Sequence, residues 1–169
     1  MKAYLANGLF SAADQLFNNY LAGILREAIP ELDLYVPQEN EGINDKTRYA
    51  DSVMIYEGDN AYLDDAEILI AIIDGIEIDS GVAAEIGRFI AMKELMRGNA
   101  SRKVYALYTD SRIQGRENEE KVNALIADGT ENQFMYRNLY VVGAIKKNGK
   151  ILSDIDGLIV EIREDLKNK

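Results

Sequence analysis

Neither cysteine nor histidine occurs anywhere in the 169 residues, and these absences narrow the chemistry before any motif is considered. Without cysteine there are no disulfides and no thiolate metal sites. Without histidine, every Ser-His and Cys-His catalytic arrangement is excluded, along with the commonest metal ligand. Acid–base or nucleophilic work then falls to carboxylates, tyrosine, lysine or serine. Long apolar runs are also missing: no segment approaches the roughly 20 residues of a membrane span. The opening "MKAYLANGLFSAADQ" has no apolar signal core, so a cytoplasmic protein without a membrane partner is expected. Positive charge is scarce as well. The formal net charge of -10 argues against a nucleic-acid polymer or an anionic membrane as partner, although an uncharged nucleoside is not repelled.

What is present is the balance of a soluble globular protein, with 47% hydrophobic and 28% charged residues. There is no internal repeat, low-complexity tract or Pro/Gly linker, so a single domain over residues 1–169 is expected. Short apolar runs alternate with helical patterns. "KAYLA" (Lys2 to Ala6) reads as a strand. The next helix begins at an N-cap, Ser11, and carries Leu16, Tyr20, Ile24 and Leu25 on one face. "LDLYVP" is a second strand, ended at Pro37, and "QENEGINDKTRYADS" a loop entering a helix that runs to about Leu63. "AEILIAIID" (Ala66 to Asp74) is the strongest strand signal, a near-continuous apolar run suited to a central parallel strand. A helix from about Ser80 to Met96 follows. Then come "KVYALYT" as a fourth strand, "ENEEKVNALIADG" as a helix, "NLYVVG" as a fifth strand and "ILSDIDGLIVEIREDLKN" as a last helix. This alternation predicts an α/β three-layer sandwich: a mainly parallel five-stranded sheet with helices on both faces, of the flavodoxin or Rossmann type. Such folds bind ligands beyond the carboxyl ends of the strands, which directs attention to Asn7–Phe10, Gln38–Glu41, Asp74–Glu85 and Thr109–Gly115.

Within "IDSGVAAEIGRFIAM", Val82, Ile86, Phe89 and Ile90 form one apolar stripe, and Glu85 lies on its edge. A carboxylate facing a core is costly unless it is paired, protonated or lining a cavity. Asp79 occupies the N-cap position, and Gly81 permits close backbone approach. The six-residue spacing lets Asp79 and Glu85 border one strand-end crevice. From spacing alone two readings stay open: a cap with a solvated boundary charge, or a site whose partly buried carboxylate is the nucleophile. "YEGDNAYLDDAE" adds Asp59, Asp64, Asp65 and Glu67, among which nothing intrinsic selects Asp59. "YLANGLFS" is a strand-to-helix turn that matches neither GxGxxG nor GxxxxGK[ST] and holds no cation for a phosphate.

Four segments, "AYLANGLFS", "DNAYLDDAEILIAIIDG", "DSGVAAEIGRFIA" and "NLYVVGAI", occur in an order that resembles the nucleoside 2-deoxyribosyltransferases. The resemblance spans Lys2 to about Ile145, and the D-S-G-x-x-x-E-[IL]-G element is its most specific part. It implies that Glu85 attacks C1′ of the deoxyribose and that Asp79 holds the sugar hydroxyls. Asp59 manages the proton on the departing base, and Tyr4 stands beside the nucleophile. It further implies substrate contacts from Gly8, Phe10, Gln38, Glu41, Ser80 and Gly81. Asn138 and Tyr140 are implied to reach a neighbouring subunit's site, hence a homo-oligomer, dimer to hexamer, with shared active sites. Deoxynucleosides and free nucleobases are the implied partners, with no cofactor and no metal. Glu41 stands where some members carry a glutamine, and Tyr140 where some carry a methionine. The other readings are a deoxynucleoside or deoxynucleotide N-glycoside hydrolase of the same superfamily and a non-catalytic nucleoside-binding module.

Overall fold

The computed structural model describes residues 1–45, 47, 49–95, 101–131 and 137–168. Five strands, β1 (Lys2–Ala6), β2 (Asp33–Tyr35), β3 (Ile68–Ile72), β4 (Lys103–Leu107) and β5 (Gly149–Leu152), form one sheet in the order β2-β1-β3-β4-β5. Every neighbouring pair is parallel, with Tyr4 opposite Tyr35 and Leu69 on either side. The helices are α1 (Ala12–Ala28), α2 (Glu41–Asn44), α3 (Ser52–Leu63), α4 (Ser80–Leu95), α5 (Glu119–Ala127), α6 (Leu139–Asn148) and α7 (Ile155–Lys167). This is the α/β architecture expected from the alternation. Met96, the last residue of the helix expected from about Ser80, lies outside the described residues.

β3 is buried at all five positions, as a strand covered on both faces must be. Side chains alternate between two cores. Ala3, Leu5, Ile68 and Ile70 meet Leu21 and Leu25 of α1 and Leu158 and Ile162 of α7. Tyr4, Ala6, Leu69 and Ala71 meet Val82, Ile86 and Phe89 of α4, Ile145 of α6 and Leu63 of α3. The chain leaves β1 in one direction to β2 and in the other to β3, so the order reverses between β1 and β3. The ends of these two strands are the switch point at which open α/β sheets hold ligands.

Two expectations need correction. "NLYVVG" is the start of α6, not a strand. Asn138 caps it by accepting from the Tyr140 and Val141 amides, and the inward residues Val141, Ala144, Ile145 and Asn148 follow helical spacing. The fifth strand comes after it, from Gly149 and Lys150, which lie between the two segments, and from Ile151 and Leu152, the first residues of the segment expected as the last helix. Gly149 opens this strand because a Cβ there would lie 1.7 Å from the Val104 carbonyl oxygen. The buried face of α1 is also displaced. Leu16 and Tyr20 are 70% and 59% exposed, while Asn18, Leu21, Ala22 and Leu25 are buried. The cause is Asn18, a polar residue that an apolar pattern discards. Its amide nitrogen donates to the Gly8 carbonyl and to Gln38, while its oxygen accepts from Asn7. Ser11 does form the N-cap, in a full capping box with Asp14.

Candidate active site

Tyr4 lies in the middle of β1, fully buried, with its ring directed to the α4 side of the sheet. Its hydroxyl donates to Glu85 Oε1 at 2.6 Å. Glu85 reaches that point because α4 buries Val82, Ile86, Phe89 and Ile90 as the stripe requires. That orientation leaves position 85 half-buried at the stripe's edge. Burial is the main force on its carboxyl group, pushing the pKa from an ordinary 4.5 to about 7. The Tyr4 hydrogen bond opposes that rise, and the charges of Asp59 and Asp79 add to it. Tyr4 itself is raised far above the usual phenol range by burial and by the acids it faces, so it remains a donor.

Asp59 stands across from Glu85 on α3. Its Oδ1 accepts from the Tyr35 hydroxyl at 3.1 Å, and Tyr35 in turn accepts from Asn40 Nδ2 at 3.0 Å. The Tyr35 ring is tilted against Tyr4 at 5.3 Å and stacked on Tyr62 at 3.8 Å. Tyr4, Tyr35 and Tyr62 thus form a row of ring contacts, in which the Tyr4 and Tyr35 hydroxyls donate to the two acids. The cleft between α3 and α4 measures about 280 Å³ and is lined by Tyr56, Asp59, Asn60, Gly81, Ala84, Glu85 and Arg88.

Asp79 caps α4. Its Oδ1 accepts from the amides of Gly81 at 2.8 Å and Val82 at 3.0 Å, which holds this acid at the N-terminal edge of the helix. The chain arrives there through a turn at Gly75, whose φ of 89° favours glycine. With Asn7, Gly8, Asp14, Asp74 and Thr109, Asp79 lines a second depression of about 430 Å³ at the ends of β1 and β3. Asp79 lines one hollow and Gly81 the other, so the first turn of α4 separates the two.

The remaining expected residues are more scattered. Phe10 and Gln38 line a third groove, of about 380 Å³. The amide of Gln38 is engaged at both ends, accepting from Asn18 and donating to Asn19 Oδ1 at 2.6 Å. Glu41 and Ser80 are exposed at the starts of α2 and α4. Asn138 caps α6, and Tyr140 beside it is 87% exposed. The structure therefore brings Asp59, Glu85 and Gly81 to one cleft, with Tyr4 buried behind Glu85 and Asp79 lining the neighbouring depression. Sequence reasoning did not find Tyr35, Tyr56, Asn60 or Arg88. Arg88, three residues after Glu85 on the same flank of α4, was the one with a usable signal. No group of acidic residues that could hold a metal ion occurs among the described residues.

An open parallel sheet with an acid-lined depression at its switch point, and a half-buried carboxylate in the cleft beside it, is an α/β architecture of the kind that places ligand sites beyond its strand ends. Residues 3–126 match the model of the nucleoside 2-deoxyribosyltransferase family, and the chain belongs to that family. Membership carries a deoxyribosyltransferase type of activity, with nucleoside and nucleobase substrates. The chain is 32% identical over 128 residues to an uncharacterized protein of Ureaplasma parvum serovar 3, covering 70% of this chain and 77% of that one. Among solved structures it is similar to a conserved protein from Enterococcus faecalis V583. That match has 44% identity and a TM-score of 0.84, over 97% of this chain and 98% of that chain. A 2-deoxyribosyltransferase from the psychrotolerant Bacillus psychrosaccharolyticus shares the fold at 16% identity. Its TM-score is 0.62, over 94% of this chain and 90% of that one.

Proposed function

We propose that this protein transfers 2-deoxyribose between nucleobases in nucleoside salvage, with Glu85 as nucleophile through a covalent glycosyl intermediate. The observation that carries the reading is the Glu85 carboxylate, half-buried in a cleft, hydrogen-bonded by Tyr4 and faced by a second acid, Asp59. Tyr4 donates to Oε1, so Oε2 is the oxygen directed to C1′. Its attack forms the ester bond as the C1′–N bond breaks, and the electron pair leaves with the base nitrogen. That nitrogen takes up a proton at the Asp59 side of the cleft. The nitrogen of an incoming base then attacks C1′, loses its proton and releases the Glu85 carboxylate. Two inversions give net retention. Oxocarbenium character at C1′ is stabilised by the carboxylate before the bond forms. A 2-deoxy sugar lacks the electron-withdrawing hydroxyl that would oppose that charge.

Asp79, at the edge of α4, holds the sugar hydroxyls in this reading. Gly8, Ser80 and Gly81 shape the same end, and Phe10, Gln38 and Glu41 lie on the base side. Asn138 and Tyr140 reach a second subunit, and residues 1–169 act as one domain.

Deoxyinosine supplied with and without free adenine tests the reaction. Deoxyadenosine is expected only with adenine present, in amounts matching the hypoxanthine released. Hypoxanthine release that ignores adenine, with no new nucleoside, would replace transfer by hydrolysis. Binding without turnover would leave a nucleoside-binding module. A deoxyribosyl adduct found by mass on the peptide containing Glu85 tests the intermediate.

A further inference from the structure

α3 forms the wall of the cleft opposite Glu85, yet only Leu63 of its twelve residues is buried. Apolar packing is what usually fixes a helix on its support, and here there is little of it. Polar contacts take its place. At the lower end, the fully buried Arg102 donates from Nε to the Ala66 carbonyl at 2.9 Å. Its Nη2 donates to the carbonyls of Leu63, at 3.1 Å, and Asp64. The same guanidinium lies 4.6 Å from the centre of the Phe89 ring on α4. These contacts hold the C-terminal turn of α3.

Nearer the cleft, where the Tyr62–Tyr35 stack and the Asp59–Tyr35 hydrogen bond join α3 to β2, the tie to α4 is Arg88. Its Nε donates to Asp64 Oδ1 at 2.8 Å and its Nη2 to Asp64 Oδ2 at 2.6 Å, a two-pronged fork. Its Nη1 donates to the Tyr56 hydroxyl at 3.0 Å, and the guanidinium lies 5.6 Å from the centre of that ring. All three guanidinium nitrogens are committed to α3 or to the residue that ends it. Asp64 answers the charge, so Arg88 does not act as a free cation toward Glu85.

We infer that Arg88 is a positioning residue: by clamping Tyr56 and Asp64 it holds α3 at the distance from α4 that sets Asp59 against Glu85. The inference rests on the reading of Glu85 as the nucleophile. Three groups face that carboxylate: Tyr4 from β1, Asp59 from α3 and Asp79 at the head of α4. Tyr4 belongs to the sheet and Asp79 to the helix of Glu85 itself. Asp59 alone moves with α3. Releasing the clamp therefore withdraws one negative charge from Glu85 and admits water, and both changes make the carboxyl more acidic.

The test uses Arg88→Gln, Asp64→Asn and the double variant, each with the pH profile of base exchange and the thermal midpoint. Each single variant is expected to move the acidic limb to lower pH by about half a unit or more and to reduce kcat about tenfold. The double variant is expected to add little to either, because both singles break the same fork. Arg88→Lys, which keeps the charge without the fork, is expected to rescue only part. A lowered thermal midpoint with an unmoved limb in both singles, or additive effects in the double, overturns the inference. If Arg88→Gln does not fold, Asp64→Asn decides by the same limb. Glu85→Ala separates the two claims. Base exchange surviving in that variant removes the nucleophile and this inference with it. A dead Glu85→Ala beside unmoved limbs removes this inference alone.

Discussion

Glu85 carries two opposed demands, and its titration separates them. To attack it must be ionised, but burial, with the charges of Asp59 and Asp79, favours the neutral acid up to about pH 7. The unfolded chain releases that proton near the ordinary value of 4.5. Between the two values the folded chain binds more protons than the unfolded one. The stability associated with neutral Glu85 is thus full below 4.5 and lost as pH rises through about 7. Glu85→Gln, isosteric and still able to accept from Tyr4, is expected to be more stable than the parent at pH 8. The gain is on the order of 2 kcal/mol, and it vanishes at pH 4. Base exchange should fall by at least about 1,000-fold in the same variant. Thermal unfolding at the two pH values, beside an exchange assay, checks both halves. Tyr4→Phe acts in the other direction. It removes the one contact that favours the carboxylate, so the acidic limb of the exchange rate should move above 7 by about one unit. A limb that stays in place would separate Tyr4 from the nucleophile.

At the scale of elements, the parts visible in the sequence are those whose signal is local. β3 is a continuous apolar run, α4 carries its own stripe, and Ser11 with Asp14 marks a capping box. Glu85 could be singled out because the stripe around it says which way it points. What could not be read depends on neighbours distant in the chain. Tyr35 sits over Tyr4 only because β2 pairs with β1, and it reaches Asp59 only because α3 crosses that edge. Asn18 is buried only because the Gly8 carbonyl, the Asn7 amide and Gln38 converge on it. The confusion of α6 with a strand has a similar source. Its Leu139, Tyr140, Val141 and Val142 are residues that strands favour, and only the cap and the next turn decide for the helix. The strand that follows is four residues long, and its decisive feature is a glycine. Gly149→Ala forces a Cβ into the Val104 carbonyl, so β5 must separate from β4. A loss of about 3 kcal/mol or more is expected, read as a denaturation midpoint and as faster amide exchange along Lys150–Leu152. A stability equal to the parent's would contradict this pairing.

For the whole molecule, the question is how a site open on one side is completed. The cleft holds the acids needed for the chemistry but leaves its mouth to solvent, while Leu139 and Tyr140 stand 80% and 87% exposed at the head of α6. Large apolar side chains so placed favour burial against another surface. In the proposed homo-oligomer that surface is the mouth of a neighbouring site, reached by Asn138 and Tyr140. Complementation tests this without a structure of the assembly. Asn138→Ser keeps an oxygen that can cap α6 but loses the reach of the amide, whereas Glu85→Ala removes the nucleophile. Each variant alone is expected to exchange bases poorly. In a co-expressed mixture, half of randomly formed dimers are mixed, and each mixed dimer rebuilds one of its two sites from unmutated Glu85 and unmutated Asn138. About a quarter of the parent activity should return in a dimer with exchanging partners. If each chain completes its own site, no mixture of the two variants regains activity, because every site then retains its own lesion. The recovery therefore reports on the sharing itself, whatever the stability of either variant.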